Sequence, residues 1–153
     1  MSAYDHPDTA RILAFLADIG IPVAAEALGE DTLLPAITVR HGTVVFDPDR
    51  LSQPGDLLHE AGHVAVSDPA VRTASAAVAD DAGEEMAAIA WSWAAAQAIG
   101  VEPRVLFHAD GYRGDSDWLI EAFSQGSPFG VPLLVFWGLA EPGCFPAMMR
   151  WVR

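Results

Sequence analysis

The stretch LLHEAGHVAV, residues 57–66, constrains this chain most, because two histidines and a glutamate interrupt a run that is otherwise aliphatic or small. Its pattern predicts a helix, with Asp56 as a natural N-cap and Ser67-Asp68-Pro69 as the stop. Leu57, Leu58, Val64 and Val66 call for burial, and burial takes His59, Glu60 and His63 in with them. An ionisable side chain in an apolar setting is expensive unless it finds a partner. The rest of the fold therefore has to supply partners for this one helix.

His59-Glu60-Ala61-Gly62-His63 has the form HExxH. Positions i and i+4 of a helix lie one turn apart on one face, so both imidazoles can reach a single Zn²⁺ at about 2.0–2.1 Å. Glu60 follows the first histidine and stands beside the ligands, where it can accept a proton from a bound water and deliver it to a leaving amine. The small Ala61 and Gly62 suit a place that another element approaches closely. The pattern also arises by chance, so the reading depends on a third ligand.

A catalytic zinc site has three protein ligands and one open position. The metzincin extension is excluded, because Val66 and Pro69 occupy its glycine and third-histidine positions. The acidic start of DDAGEEMAAIAWSWAA (80–95) offers Glu84 and Glu85 instead. Asp81 and Glu84 fit a variant capping box, Asp-x-x-Glu, which leaves Glu85 free to face the metal. Ala88, Ile89, Ser92 and Ala96 continue the Glu85 face and are mostly small enough for close packing. Glu85 is the expected third ligand and Glu84 the alternative; Asp68, Asp80 and Asp81 are accounted for as caps and turn residues.

Around the motif the chain reads as follows. Residues 8–20 predict a helix capped by Asp8 or Thr9 and ended by Gly20 and Pro22. A loop of small and acidic residues leads to 34–47, a β-hairpin about a tight His41-Gly42 turn. After the motif helix comes a small-residue linker over 68–81. A long helix then opens at Asp81 to Glu84 and runs to Ile99, closed by Gly100. Two shorter helices follow at 116–125 and 131–139. With 153 residues and no visible repeat or boundary, the expectation is one α+β domain over 1–153. It combines a small β-hairpin or sheet with a mostly helical bundle, a motif core over 34–100 and a helical part over 101–153.

The strand TVVFD, a short loop, HExxH, then Glu85, Ala88 and Trp91 together resemble the gluzincin group. Within it they are most similar to the ImmA/IrrE-type metallopeptidases, over about residues 34–100. The resemblance implies a zincin-like fold, zinc held by His59, His63 and Glu85, and Glu60 as general base. It also implies that an extended substrate pairs with the strand before the motif helix.

Composition narrows the partners. A net charge of −13 repels phosphate backbones and anionic lipid surfaces, which argues against nucleic-acid or polybasic membrane binding. The lone Cys144 excludes an intrachain disulfide and a thiolate metal cluster, and is expected to be small and buried. The N-terminal MSAYDHPDTA lacks the pattern of a secretory signal. The apolar stretches at 86–101 and 131–140 are shorter than the roughly 20 residues of a membrane span. A cytoplasmic protein is expected.

In FHADGYRGD, His108, Asp110, Tyr112 and Arg113 could line the cleft, with Tyr112 or His108 donating to a developing oxyanion; alternatively they only satisfy a glycine-rich turn. Trp91, Trp93, Trp118, Trp137 and Trp151 are expected in the core. His6 and His41 are expected in exposed loops. Met148, Met149 and Trp151 would cover an apolar face or an oligomer contact. The functional expectation is a zinc-dependent hydrolase, foremost a peptidase. The alternatives are a hydrolase of small amides or esters in a closed, aromatic-lined pocket, and a non-enzymatic binding module retaining the zinc-peptidase shell.

Overall fold

A computed structural model describes residues 2–153. In chain order the elements are α1 (Pro7–Ile19), β1 (Val23–Ala25), β2 (Ile37–Arg40), β3 (Thr43–Phe46), α2 (Gly55–Val66), α3 (Ala82–Ile99), α4 (Pro103–Leu106), α5 (Ser116–Ser124) and α6 (Val131–Phe136). The fold is α+β: six helices and one three-stranded sheet in the order β1-β3-β2 among the described residues. The strand β1 runs parallel to β3, and β2 antiparallel to it.

All twelve residues of α2 are buried. The helix packs against β2 and β3 on one side and most extensively against α3 on another. Ala87 to Ala96 of α3 are likewise all buried, so this helix is apolar around its whole circumference, as suits an interior helix. The pair forms the centre of the domain. Trp91 of α3 donates its indole N–H to the Trp151 carbonyl at 2.8 Å, and Trp151 stands edge-on to Trp91 and Phe15. The C-terminal segment thus closes the core over α1 and α3. Trp93 stacks on Phe107 and Phe123.

Several elements begin or end where local chemistry dictates. The hairpin turn holds His41 at φ 51° and Gly42 at φ 73°, the two left-handed residues that a tight twisted hairpin needs. α1 starts one residue earlier than expected. Pro7 takes the first helical position, where its missing N–H costs nothing, and the His6 ring nitrogen accepts the Asp8 N–H at 3.1 Å. α2 starts at Gly55, so Asp56 lies inside its first turn and does not serve as its N-cap. Two short elements were not anticipated: β1 inside a loop, and α4. α6 stops at Phe136, three residues short of the expected end. Two burial expectations are corrected. Trp118 is 54% exposed on the outer face of α5, edge-on to Phe129, and Cys144 is exposed.

The contact between α2 and α3 depends on Gly62. A Cβ there would lie 2.8 Å from the Ala88 carbonyl oxygen and 3.2 Å from the Trp91 ring. Neither neighbour can move without shifting α3. Gly62→Ala is expected to destabilise by about 1–3 kcal/mol through overpacking, read as a lower Tm in thermal unfolding. Gly29→Ala, which meets nothing within 4 Å, should leave Tm unchanged. Equal melting temperatures for the two variants would refute the close approach.

Candidate metal centre

Asp56, His59, Glu60 and His63 recur at the i, i+3, i+4, i+7 spacing that puts them on one face of α2, and all four are buried. The first turn of α3 supplies the opposing charge. Asp81 caps α3 by accepting the Glu84 N–H at 2.8 Å, which fixes where the helix starts and so where Glu85 stands. One Glu85 oxygen lies 3.3 Å from His59 Nε2 and the other 2.6 Å from His63 Nε2. The two imidazole rings meet edge to face at 4.9 Å. One ligand atom from each of His59, His63 and Glu85 falls within 4.8 Å of the others.

Glu84 takes no part in this cluster. The expected return bond of the capping box is not formed, and the Glu84 side chain instead lines a cavity beside His63. Glu60 lies next to the cluster, one carboxylate oxygen 3.9 Å from His59 Nε2.

The charges are strongly coupled. Burial alone would raise the Glu85 pKa, but hydrogen bonds to His59 and His63, and their charges, hold it well below the usual carboxylate range. Burial would lower His59; its hydrogen bond to Glu85 and the charges of Glu60 and Glu85 outweigh this and raise it. Glu60 goes the other way from Glu85. Its burial pushes the carboxyl up, and the two imidazoles offset this only in part. The two glutamates thus differ: Glu85 is held as an anion, while burial favours the protonated form of Glu60.

Two imidazole nitrogens and a carboxylate form a donor set that suits zinc. Ligands of a tetrahedral zinc ion sit ~3.3 Å apart, given bonds of 2.0–2.2 Å; the His59–Glu85 separation is 3.3 Å, whereas the 2.6 Å between His63 and Glu85 is a hydrogen bond that a bound ion would open. One feature departs from the usual pattern. A ligating histidine generally donates its other ring N–H to an outer acceptor, whereas His59 Nδ1 is buried with no partner among the described residues.

The loop after α4 delivers two of its four candidate residues to this centre. His108 is buried, with Nε2 2.7 Å from an Asp56 carboxylate oxygen. The Tyr112 ring stands edge to face with His59 at 5.4 Å, and its hydroxyl is buried without a partner among the described residues. Burial and the nearby carboxylates of Asp56, Glu85 and Glu60 push that hydroxyl's pKa well up, so it remains a proton donor. Asp110 and Arg113 are exposed, and Asp110 accepts from the Gln53 amide. Asp56 is the site residue that a capping assignment hid; its i+3, i+4 and i+7 relation to His59, Glu60 and His63 was the available signal.

The expected substrate strand is corrected as well. β3 is hydrogen-bonded to β1 on one side and β2 on the other, so it has no free edge. Val44, opposite Val39, donates its N–H to Pro22 on the β1 side at 3.0 Å. Val39 is therefore in a non-hydrogen-bonded pair, and its own N–H and C=O point outward from β2. No described residue pairs with them. β1 and β2 are the two edge strands, and on β2 Leu34 bridges to Ile37 while the His41 N–H bonds to the Ser75 carbonyl, which leaves the outward groups of Val39 open between them.

With His59, His63 and Glu85 as ligands, protein prepared without chelator should carry about one zinc per chain. Glu85→Ala should abolish binding and Glu84→Ala preserve it, measured by elemental analysis and by the Tm increase on adding Zn²⁺. Zinc retained by Glu85→Ala, or no zinc and no thermal shift in the parent protein, would remove the assignment.

No described helix is long and apolar enough to cross a membrane. Comparison with protein-family models, curated proteins and solved structures finds no match to the chain.

Proposed function

We propose that this protein is a zinc-dependent hydrolase of the gluzincin type, resembling the ImmA/IrrE-type metallopeptidases, that cuts an extended peptide. In this reading His59, His63 and Glu85 hold the zinc and Glu60 is the general base. The observation that carries it is the closure of Glu85, from a second helix, on both imidazoles of the HExxH helix, with Glu60 beside the trio. A zincin-like arrangement of sheet, α2 and α3, and a cytoplasmic location, are parts of the same proposal.

A zinc ion at these ligands supplies a Lewis acid and lowers the pKa of bound water toward ~7. The chain's own groups do the rest. Glu60, with its pKa raised by burial, takes up a proton during attack and releases it to the departing amine. Tyr112 offers a desolvated, unpaired O–H beside His59, suited to donate to oxygen as charge develops on the carbonyl. The outward N–H and C=O of Val39 offer one residue's pair of main-chain hydrogen bonds to a substrate backbone. The Glu85 side chain is 47% exposed, so the cluster is reached from that side, and this favours a working site over a sealed structural one.

The test is hydrolysis of a peptide library by zinc-loaded protein, read by mass spectrometry. Glu60→Gln should lower turnover by about 10²–10⁴-fold with zinc content unchanged. Tyr112→Phe should lower kcat by about 10²–10³-fold, the effect of losing one oxyanion donor, with little change in KM. Activity that survives Glu60→Gln would end this mechanism. A zinc-replete protein that cleaves no library peptide would leave the binding module as the better reading.

A further inference from the structure

The sheet has a second edge, at β1, two strands away from the β2 edge that lies beside His63. Val44 of β3 donates its N–H to the Pro22 carbonyl at 3.0 Å, and Glu26 donates its N–H to the Phe46 carbonyl at 2.9 Å. In this parallel register the N–H and C=O of Ala24 also turn toward β3. Those of Val23 and Ala25 turn outward, and no described residue bonds to any of these four groups.

Beside this edge runs an open groove of about 640 Å³, lined by Tyr4, Leu13, Ala17, Val23, Ala25 and Phe46 among others. The sheet forms one wall and α1 the other. Val23 and Ala25 stand two apart in β1, so their side chains share a face, and that face is the groove's. The same two residues therefore present unpaired main-chain groups and an apolar wall. Tyr4 stands edge-on to Phe46 at 6.0 Å and is 56% exposed, an aromatic ring that an added strand would cover.

We propose that this surface docks an extended segment of another protein, aliphatic at alternate positions and flanked by lysine or arginine. A strand laid along β1 gains main-chain hydrogen bonds from Val23 and Ala25, and every second side chain drops between β1 and α1.

Charge selects the partner. Tyr4, Ala17 and Ala25 line the groove, and each is followed in the chain by an exposed carboxylate: Asp5, Asp18 and Glu26. Residues 1–31 hold six carboxylates against one arginine. That arginine, Arg11, is committed to Asp8 at 3.5 Å and to the Gly100 carbonyl at 2.8 Å. Arg40 answers Glu26 at 2.5 Å, and no described arginine pairs with Asp5 or Asp18. A second copy would bring the same carboxylates and the same net charge of −13 to the contact, and like charges set against each other disfavour association. A basic segment meets the rim with the opposite sign.

The test titrates the isotope-labelled protein with a capped octapeptide, Val-Thr-Val-Thr with two lysines at each end. The amide resonances of Val23 and Ala25 and the methyls of Leu13 and Val23 should shift and saturate, while Val39 on the β2 edge stays in place. Added salt should weaken this binding, and glutamates in place of the lysines should weaken it about tenfold. Ala17→Trp, at an exposed position of α1, fills the groove and should abolish the shifts with Tm unchanged. Ala25→Pro removes one outward donor, spares the β3 ladder and should weaken binding about fivefold. Asp18→Arg should weaken the lysine peptide and strengthen the glutamate one. No shifts at Val23 and Ala25, or shifts that Ala17→Trp and Ala25→Pro both leave unchanged, would overturn the docking surface. Equal binding of the two peptides would overturn the basic partner. The same resonances shifting as the protein alone is concentrated, with the sedimentation of a dimer, would make the occupant a second copy and overturn the proposal.

Discussion

Four ionisable side chains on one wholly buried helix are the constraint to which the surrounding elements answer. α2 is driven inside by Leu57, Leu58, Ala61, Val64, Ala65 and Val66, and it takes Asp56, His59, Glu60 and His63 along. Buried charges persist only when paired, and removing one partner of a buried pair commonly costs ~3–5 kcal/mol. The partners arrive from different parts of the chain. Glu85 comes from α3 for His59 and His63, and His108 from the loop after α4 for Asp56. The position of α3 is set accordingly. Its cap at Asp81 and the close approach at Gly62 bring the first turn alongside His59 and His63. The N-terminus of a helix also favours the negative charge that Glu84 and Glu85 place there.

What was legible in the sequence follows from how local each signal is. The HExxH spacing, the His41-Gly42 turn and the Gly100 stop of α3 are written in neighbouring residues, and their geometry is largely decided within a turn or two. Glu85 was chosen because a capping box was expected to occupy Glu84; the Asp81 cap forms without the return bond, and Glu85 is the glutamate that meets both imidazoles. Asp56 was not read as a site residue, since an aspartate at a helix start has a sufficient local use as a cap. Only the arrival of His108, 52 residues later, gives it another. β1 has the same character. Three residues, Val23–Ala25, carry no period, and they form a strand because β3 is there to pair with. Its presence moves β3 from the rim to the middle of the sheet, and a hairpin read alone could not have revealed that.

The exposed positions show the same limit from the other side. Trp118 looked like core because it sits in an apolar segment, yet α5 buries only Ser116, Leu119 and Phe123. Trp118 lies on the remaining face. Cys144 looked buried by residue type alone and belongs to an exposed turn. Composition states what a side chain favours; it does not state which face of a short helix is needed.

The loop that carries Tyr112 ties strain to position. Tyr112 and Arg113 adopt φ of 58° and 53°, a left-handed conformation that costs a non-glycine residue roughly 1–2 kcal/mol. Such strain persists where the surroundings over-determine it. Here the Tyr112 ring is wedged edge-on between Phe107 at 5.0 Å and His59 at 5.4 Å. Phe107 in turn stacks against Trp93 of α3. The core therefore grips the ring, and the backbone accepts the unfavourable angles to let it stay. The consequence is a hydroxyl removed from water and left unpaired among three carboxylates, a state that burial alone would not favour. In the proposed chemistry an incoming carbonyl oxygen satisfies the hydroxyl that this packing holds in place. That is the physical ground on which Tyr112 joins Glu60 in the proposed chemistry.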